Sequence, residues 1–413
     1  MSALSDFRSF TRQQRAAFVA SFLGWTLDAF DFFLLVFVVK AIADDFQSEV
    51  KAVAFAILVT LAMRPIGAFV FGRLADRYGR KPVLMLDVCL FSVLELATAF
   101  APSLTVLLVL RALFGFAMGG EWGIGASLVM ESIPEKSRGW VSGFLQQGYA
   151  FGYLIAAVVY YSLFDLIGWR GMFVVGVLPA LLVLYIRLHV DESPAWQSMT
   201  QSRPRRGLLE ALRGRWKLFV YVVVLMTAFN FLSHGTQDLY PTFLQAQHEF
   251  SPRLVGIIAV IYNIGAILGG IYFGALSQRM GRRRTIVTAA LLPLPAIPLW
   301  AYASQPVLLA AGAFVLQFMV QGAWGVVPAH LNELSPEDVR GTFPGLAYQL
   351  GNLIASGNAV FQAQIAAAHG GNYGLALALV AAIVAIVLSI LTAVGPEARG
   401  ISMHTPPAPV PSH

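Results

Sequence analysis

This sequence has few charged residues and almost no cysteine. Of its 413 residues only 12% are charged, whereas 57% are hydrophobic, and the mean hydropathy is +0.69. These values exclude an ordinary soluble globular protein. Cys89 is the one cysteine, so no disulfide within the chain can stabilise the fold. The composition therefore indicates a membrane protein.

Apolar stretches recur along the whole chain. Many are about 20 residues long, which is enough for a helix to cross ~30 Å of hydrocarbon. They lack the alternation of apolar and polar residues that a membrane barrel needs. We predict an all-α membrane protein with twelve transmembrane helices, centred near residues 28, 62, 91, 118, 152, 178, 230, 264, 294, 319, 354 and 383. The first stretch is too long for a signal-peptide core and carries two aspartates, so we expect no cleavage.

Basic residues are distributed unevenly between the predicted loops. With both termini inside, most of them, including the cluster from Arg203 to Lys217, lie on one side, and only Lys40, Lys51, Arg170 and Arg253 lie on the other. Because Lys and Arg accumulate on the cytoplasmic side, we expect a multi-pass protein of the plasma (cytoplasmic or inner) membrane with both termini in the cytoplasm. The cations then lie next to anionic lipid of the bilayer, so the net charge of +6 needs no nucleic-acid partner to explain it.

Two motifs recur at one constant spacing. The segments 72–81 and 131–139 are repeated as 274–283 and 333–341, each 202 residues later. An offset that spans six helices predicts two six-helix bundles in the same orientation, related by an axis along the membrane normal. We expect bundles at residues 1–190 and 217–396, a cytoplasmic linker at 191–216 and a short cytoplasmic tail at 397–413.

The first repeated motif carries a resemblance to a known family. Its G-x-x-x-D-R-x-G-R-K pattern at residues 72–81, together with the paired P-E-x-x-R-G loops, resembles the major facilitator superfamily. The resemblance implies that Asp76, Arg77 and Arg80 form a gating element that holds the cytoplasmic ends of the halves together. Gln278 stands where the second copy would have the aspartate, so we expect that copy to hold less tightly.

Carboxylates occur inside the predicted first and fourth helices. Asp28 and Asp31 are three residues apart and share a helix face, which favours a protonatable pair, and Glu121 is a further candidate proton site. Ionisable groups at bilayer depth usually face a bundle interior or a water-filled cavity. The alternative is that one of the two aspartates is permanently paired with a neighbouring helix.

Two arginines lie within predicted helices. Arg64 has a planar fork that matches a carboxylate, so it either binds an anionic substrate or is the permanent partner of Asp28 or Asp31. Arg111 is either a charge partner for other groups inside the protein or extends its side chain to the membrane surface. We expect Asp87 and Glu95 on the third helix to be partners of these arginines.

Neutral polar residues occupy repeat-related positions on the fifth and eleventh helices. Gln147 and Tyr149 lie on one helix, and Gln349 and Asn352 on the other, with Gln146 and Tyr348 beside them. Amides and phenols suit a small polar ligand. The alternative is hydrogen bonding between helices.

The seventh helix contains a dense polar run from Asn230 to Thr242. His234, Gln237 and Asp238 are placed to share one helix face, so a proton site and a substrate site can coincide there. Subtracting 202 places Asn230 on Asp28 and residue 233 on Asp31. We therefore expect the first and seventh helices to face one central path from opposite halves.

This run also resembles one particular group within the superfamily. It fits the pattern N-x-x-S-H-x-S/T-Q-D-x-x-x-T of the Jen-type carboxylate:proton symporters, which are grouped near the sialate:proton symporters, and residues 25–33 are similar to the first helix of that family. The resemblance implies uptake of a short monocarboxylate such as lactate or pyruvate with a proton, by alternating access. We expect Asp238 or Asp28 to carry the proton and Arg64 to bind the carboxylate, while Gln349, Asn352 and His234 hold the remaining polar atoms of the substrate. His234 either takes the proton itself or orients the carboxylate of Asp238. The alternative substrate is a larger organic anion, sialic acid or an aromatic acid.

Other function classes fit the sequence less well. An enzyme would need a nucleophile, a metal cluster or a cofactor loop, and the short loops show neither His/Cys metal spacing nor a phosphate-binding glycine loop. A sensor built on such a scaffold would usually carry a long soluble extension. We therefore expect a transporter that works as a monomer, without cofactor or metal and without nucleic acid as partner.

Overall fold

The structure is a computed structural model that describes residues 3–202, 210 and 213–403. Within this part of the chain all regular structure is helical. Residues 203–209 and 211–212 of the predicted linker, with the start of its basic cluster at Arg203, lie outside the described residues, as do residues 404–413 of the predicted tail. The bounds expected for the two bundles, the linker and the tail therefore stay a prediction.

Twelve membrane crossings follow one another along the described chain. Crossings 1 to 4 are Arg12–Asp45, Val50–Tyr78, Arg80–Ala99 and Leu104–Ser132. Crossings 5 and 6 occupy residues 138–167 and 169–189, built from Arg138–Gln146, Gly148–Val175 and Ala180–His189. Crossings 7 to 9 are Trp216–Gln237 with Tyr240–Ala246, Pro252–Met280, and Arg282–Leu291 with Ile297–Tyr302. Crossings 10 to 12 are Pro306–Trp324 with Val327–Leu334, Phe343–Ala355 with Asn358–Ala368, and Tyr373–Val394.

The prediction of twelve crossings is confirmed, although only ten described helical segments are long and apolar enough to be recognised singly. One of the ten contains both crossings 5 and 6, because the chain reverses at Gly168, whose φ of 63° and ψ of −177° are not helical. Crossing 11 is interrupted at residues 356–357, which divides it into helices of 13 and 11 residues. Each piece alone is shorter than the roughly 20 residues that a span needs.

Glycines allow neighbouring crossings to approach closely. A Cβ atom at Gly67 would lie 1.7 Å from the carbonyl oxygen of Phe116, and one at Gly269 would lie 1.7 Å from that of Phe318. Both positions and both partners are related by the offset of 202. Crossing 2 therefore packs on crossing 4 as crossing 8 packs on crossing 10, through small residues at the helix interface.

The two halves touch each other at one end of the molecule. A Cβ atom at Gly143 would lie 2.3 Å from the oxygen of Gly270, and one at Gly72 would lie 2.6 Å from the Cα of Thr342. These contacts join crossing 5 to crossing 8 and crossing 2 to crossing 11. We call this end, which carries the turns at residues 79 and 281, the closed face.

Candidate functional site

A cavity of about 500 Å³ lies between the two halves. Crossings of both halves line it, at Trp25, Phe32, Phe33, Val36, Ile57, Leu61, Arg64, Gln146, Gln147, Tyr149, Ala150 and Tyr153 of the first, and at Asn230, Ser233, His234, Gln237, Asp238, Pro241, Tyr262, Asn263, Ala266, Gln321, Trp324, Tyr348 and Asn352 of the second. Arg64 is the central residue of crossing 2. The cavity therefore reaches the middle of the bundle, where a site with two-sided access must lie.

The second half presents a chain of three hydrogen-bonded side chains. Nδ1 of His234 lies 3.1 Å from Oδ2 of Asp238, and Nε2 lies 2.9 Å from Oδ1 of Asn352. Crossing 7 stops being helical just after this group, because its first helix ends at Gln237 and the next begins at Tyr240. The predicted shared face of His234 and Asp238 is therefore present, and the helix break exposes 38% of the Asp238 side chain.

This chain of groups can hold one proton more or one less. Carboxylate and amide oxygens only accept hydrogen bonds, so the observed arrangement suits a His234 ring that donates from both nitrogens, as an imidazolium does. If the amide of Asn352 turns so that its nitrogen faces the ring, a neutral imidazole fits equally well. Protonation of His234 thus requires only a side-chain amide rotation.

Further amides form a second hydrogen-bonded layer on crossings 7 and 10. Nε2 of Gln237 donates to Oε1 of Gln317 at 2.8 Å, and Nε2 of Gln321 donates to Oγ of Ser233 at 3.2 Å. Nδ2 of Asn230 donates to the backbone oxygen of Met226 at 2.8 Å. These bonds hold the side chains on the wall of the cavity and leave an oxygen of Asn230 available to a ligand.

The first half presents the guanidinium group of Arg64 to the cavity, among aromatic rings. Arg64 is only 2% exposed and has no carboxylate within ion-pair distance among the described residues, and its Nε and Nη2 atoms have no hydrogen-bond partner there. The guanidinium carbon lies 6.0 Å from the ring centre of Trp25, which in turn stacks on Tyr149 at 5.5 Å. A buried cation without a partner at ion-pair distance is costly, so this position favours an incoming anion.

Several predicted site residues do not line the cavity. Asp28, Asp31, Glu121 and Gln349 are all buried, and none contributes to its wall. The expectation that Asp28 and Asp31 face a central path is therefore wrong in this state. The offset of 202 aligns positions along the chain, but crossing 1 is rotated so that Trp25, Phe32 and Phe33 face the cavity and the carboxylates face the bundle interior.

The buried carboxylates form a cluster inside the first half, made of Asp28, Asp31, Asp87, Glu95 and Glu121. Glu95 pairs with Arg111, whose Nη2 lies 2.5 Å from Oε2 of Glu95. Arg111 is fully buried, so it does not reach out to the membrane surface. The carboxylate oxygens of the other four acids have no hydrogen-bond partner among the described residues. Asp87 is thus not paired with an arginine, contrary to expectation.

The cluster holds more carboxylates than cations. Asp28 feels the positive charge of Arg64 and the negative charge of Glu95, and Asp31 feels the charges of Glu95 and Arg111. If all five acids were ionised, two guanidinium groups would leave three negative charges uncompensated. Because uncompensated charge is costly at bilayer depth, the cluster is suited to hold protons.

Asp76 and Gln278 make repeat-related contacts between the halves at the closed face. Oδ1 of Asp76 accepts from the backbone N–H of Gly341 at 2.7 Å, and Oδ2 accepts from the N–H and the hydroxyl of Thr342 at 3.1 and 2.5 Å. At the equivalent position, Oε1 of Gln278 accepts from the N–H of Gly139 at 3.1 Å. Asp76 thus makes three bonds across the halves and Gln278 makes one, in the order that the sequence predicts.

Arginine–glutamate pairs support both contacts. Arg80 binds Glu131 through two bonds of 3.2 and 3.0 Å, and Arg282 binds Glu333 through two bonds of 2.9 Å. The same glutamates also face arginines of the opposite half, in the pairs Arg340–Glu131 at 3.6 Å and Arg138–Glu333 at 3.9 Å. Arg77, by contrast, is exposed and stacks on Tyr78, so it takes no part in these contacts in this state.

The structure adds cavity residues that the sequence did not single out. Asn263 of crossing 8 and Gln321 of crossing 10 line the cavity, as do the rings of Tyr153 and Tyr262. The signal that could have found the two amides is a polar residue inside an apolar helix. Neither has a polar counterpart 202 residues earlier, so the repeat does not point to them.

The chain is similar in sequence to known transport proteins. The family described as "Sugar (and other) transporter" matches residues 16–216 and again residues 208–398. A carboxylic acid transporter protein homolog of Saccharomyces cerevisiae is 30% identical over 89% of this chain, which spans 64% of the length of the yeast protein. A probable 4-methylmuconolactone transporter of Cupriavidus pinatubonensis is 30% identical over 96% of each chain. The sialic acid transporter NanX of Escherichia coli is 29% identical over 94% of this chain and 95% of its own.

A solved structure shows the same fold. The proton:xylose symporter XylE superimposes with a TM-score of 0.75, covering 94% of this chain and 97% of that chain at 18% identity. At this identity the likeness concerns the fold alone.

Proposed function

The chain belongs to the sugar (and other) transporter family of the major facilitator superfamily, in the group of the carboxylate and sialate transporters, and on that premise we propose that it is a proton-coupled symporter of small organic monocarboxylates such as lactate and pyruvate. The observation that carries the proposal is Arg64, a buried guanidinium in mid-membrane that faces a cavity and has no ion-pair partner among the described residues. A carboxylate substrate supplies an ion-pair partner and matches the planar fork of the arginine.

Polar groups opposite Arg64 would bind the rest of the substrate. His234, Asn352 and Asn230 lie on the cavity wall of the second half, where they can accept from or donate to a hydroxyl or carbonyl group. Gln147 and Tyr149 provide polar atoms on the cavity wall of the first half, and Gln237 lies further along crossing 7. A substrate held from both halves would draw them together, which is how alternating access is driven.

Charge neutrality around Arg64 would couple the proton to the substrate. While Asp28 is ionised, it and a substrate carboxylate compete for the field of the same guanidinium. Once Asp28 is protonated, that field is free for the substrate, so binding of the proton and binding of the anion favour each other. We therefore assign the proton to Asp28, with Asp31 and Glu121 as its neighbours in the acid cluster, rather than to the solvent-exposed Asp238.

Transport into proteoliposomes tests this proposal. Purified protein should accumulate labelled lactate when an inward proton gradient is imposed, and Arg64→Gln should abolish the accumulation. Arg170→Gln is the matched control, because Arg170 is a 43% exposed arginine of the same half outside the cavity. If lactate, pyruvate and propionate are not taken up but sialic acid or benzoate is, the short-chain substrate is wrong.

Two carboxylate variants identify the proton carrier. Asp28→Asn should lose gradient-driven accumulation and retain exchange of substrate across the membrane, because the site then stays neutral without a proton. Asp238→Asn should lower affinity through His234 and keep accumulation. Loss of accumulation in Asp238→Asn alone would transfer the carrier role to Asp238.

A larger organic anion is the second candidate substrate. The cavity volume of about 500 Å³ falls in the ordinary range for sites that hold drug-sized ligands. Several aromatic rings line it, and Trp25 and Tyr149 are stacked beside Arg64. This wall suits a ring that carries a carboxylate, and uptake of benzoate or sialic acid in preference to lactate would favour this candidate.

The direction of transport depends on the orientation in the membrane. We propose that the closed face and both termini are cytoplasmic and that the protein lies in the plasma (inner) membrane, since Lys and Arg accumulate at that end. The cavity would then open to the outside, in the state that loads substrate for uptake. A cysteine introduced at exposed Lys136 in a Cys89→Ser background should react with an impermeant thiol reagent only after the cells are opened.

A further inference from the structure

A second pocket, far from the substrate cavity, lies at the closed face of the second half. It has a volume of about 790 Å³ and is bordered by Arg283, Arg284 and Arg399, with Glu397 beside them. The pocket lies where crossing 9 begins and crossing 12 ends, at residues 282 and 394. It is therefore at the boundary between the apolar part of the protein and water.

None of the three arginines of this pocket forms an ion pair among the described residues. Arg399 donates to the backbone oxygen of Arg279 at 2.8 Å, and Arg283 donates to the backbone oxygens of Thr392 and Ala393. The guanidinium of Arg284 is exposed and bonds to no other described group. Three cations thus face the pocket without a counter-charge of their own.

Glu397 is the one carboxylate among the described residues that border the pocket, and it already accepts several hydrogen bonds. Glu397 accepts from the backbone N–H groups of Arg282 and Arg399 at 3.3 and 3.1 Å and from that of Arg283 at 3.0 Å. Burial raises the pKa of Glu397, but these donors together with nearby His330 outweigh burial and hold the pKa below its usual value. Glu397 is therefore ionised, and the pocket keeps an excess of two positive charges.

Apolar side chains continue from the pocket along the outer surface of the bundle. Val287 and Met280 border the pocket itself. Above it, Ile390 and Val394 of crossing 12 are 57% and 75% exposed, on a helix that crosses the membrane. A ligand with an anionic head and apolar chains fits this combination of surfaces.

The first half does not repeat the two neighbouring arginines of this pocket. The positions that correspond to Arg283 and Arg284 at the offset of 202 are Lys81 and Pro82, and Lys81 donates to the backbone oxygen of Arg187 at 3.3 Å. The excess of arginine is thus particular to the second half, although the motif around it is repeated. The contacts that join the halves at the closed face therefore do not explain why these arginines are present.

We propose that this pocket binds the phosphodiester headgroup of an anionic phospholipid, whose acyl chains lie along crossings 9 and 12. Arginine is suited to this role because its planar fork binds phosphate oxygens in pairs and is less strongly hydrated than an ammonium group. The lipid would neutralise the uncompensated cations at the membrane boundary. This site is independent of the proposed substrate.

Lipid binding to the purified full-length chain tests the proposal. Phosphatidylglycerol is titrated into the protein in detergent, and bound lipid is counted by native mass spectrometry, with phosphatidylcholine as the zwitterionic comparison. The wild type should retain phosphatidylglycerol preferentially. Arg284→Gln with Arg399→Gln should weaken that binding about 30-fold, which corresponds to about 2 kcal/mol for two arginines near the headgroups. Arg187→Gln removes an exposed charge outside the pocket and should leave binding unchanged.

Two further measurements keep the test decisive. Arg284→Gln alone removes no contact to described protein groups, so it should fold normally and still lose about fivefold in affinity. Equal affinity of the wild type and the double variant for phosphatidylglycerol would overturn the proposal, as would equal retention of phosphatidylcholine. Displacement of the bound lipid by millimolar inorganic phosphate would show a site for the free ion instead.

Discussion

Asp76 of the closed face offers the sharpest test of how the halves are held together. Its two carboxylate oxygens accept three hydrogen bonds from Gly341 and Thr342 of the other half, and its side chain is only 4% exposed. Asp76→Asn keeps the size of the side chain but leaves one acceptor oxygen and turns an NH2 group toward backbone donors. The variant should therefore lose at least one charge-assisted bond and leave a buried donor unpartnered.

The expected effect on the equilibrium follows from these bonds. Hydrogen bonds to charged groups contribute about 1.5–3 kcal/mol each, so the loss is about 2–4 kcal/mol. All of it applies to the state with a closed face, because the bonds cross between the halves and break when that face opens. The equilibrium should move toward the state with an open inner face by roughly 30- to 1,000-fold.

A distance measurement across the closed face reads this shift directly. Spin labels at Lys136→Cys and Glu337→Cys, in a Cys89→Ser background, sit on exposed loops of opposite halves. Pulsed electron paramagnetic resonance should show a longer distance gaining population in Asp76→Asn. An unchanged distance distribution would refute the reasoning.

The repeat supplies a matched control for this experiment. Gln278 makes a single neutral bond across the halves, to Gly139 at 3.1 Å, so Gln278→Ala should shift the equilibrium only about fivefold. Gln278→Glu should favour the closed face, because a carboxylate there accepts more strongly from the same N–H group. A larger shift in Gln278→Ala than in Asp76→Asn would contradict the ranking.

Three further predictions concern packing, charge and the cavity. Glu95→Gln removes the ion-pair partner of buried Arg111 and should lower stability by about 3–5 kcal/mol, measured as a lower thermal midpoint in detergent. Adding Arg111→Met to this variant should restore most of the lost stability. An unchanged midpoint in the single variant would contradict this prediction. Gly67→Ala places a Cβ atom against a backbone oxygen and should destabilise the protein by about 1–3 kcal/mol. Gly256→Ala is the control, because Gly256 has open space around it and the alanine should stabilise the helix slightly. Equal thermal midpoints of the two variants would show that the close approach at Gly67 is not needed. Asn352→Ala removes one neighbour of His234 and should weaken substrate affinity about tenfold without loss of proton coupling, measured as counterflow and as gradient-driven uptake.

Much of the fold could be predicted because membrane helices are local in sequence. A run of about 20 apolar residues satisfies its own backbone hydrogen bonds, so length and hydropathy reveal it without knowledge of its neighbours. The two crossings that length alone misses are 6, merged with 5 at Gly168, and 11, interrupted at residues 356–357. In both cases a local break in the helix, and not the apolar stretch itself, decides where the crossing begins or ends.

The candidate site could be predicted only in part. His234 and Asp238 share a face because four residues make about one helical turn, and the structure joins them as expected. Arg64 could be recognised as a cation inside the membrane, but its lack of a partner could not. The partners of a buried charge come from other crossings, and nothing local in the sequence encodes them.

The sequence by itself determined the helices, the twofold repeat, the family and the unequal strength of the Asp76 and Gln278 contacts, because each follows from local composition or from residue identity at equivalent positions. The rotation of each crossing was decided only by the tertiary structure. It turned Asp28 and Asp31 into the first bundle near Glu95, and it left Arg64 facing the cavity. A helix has polar groups at a given depth whatever its rotation, but packing against its neighbours decides which of them meet water.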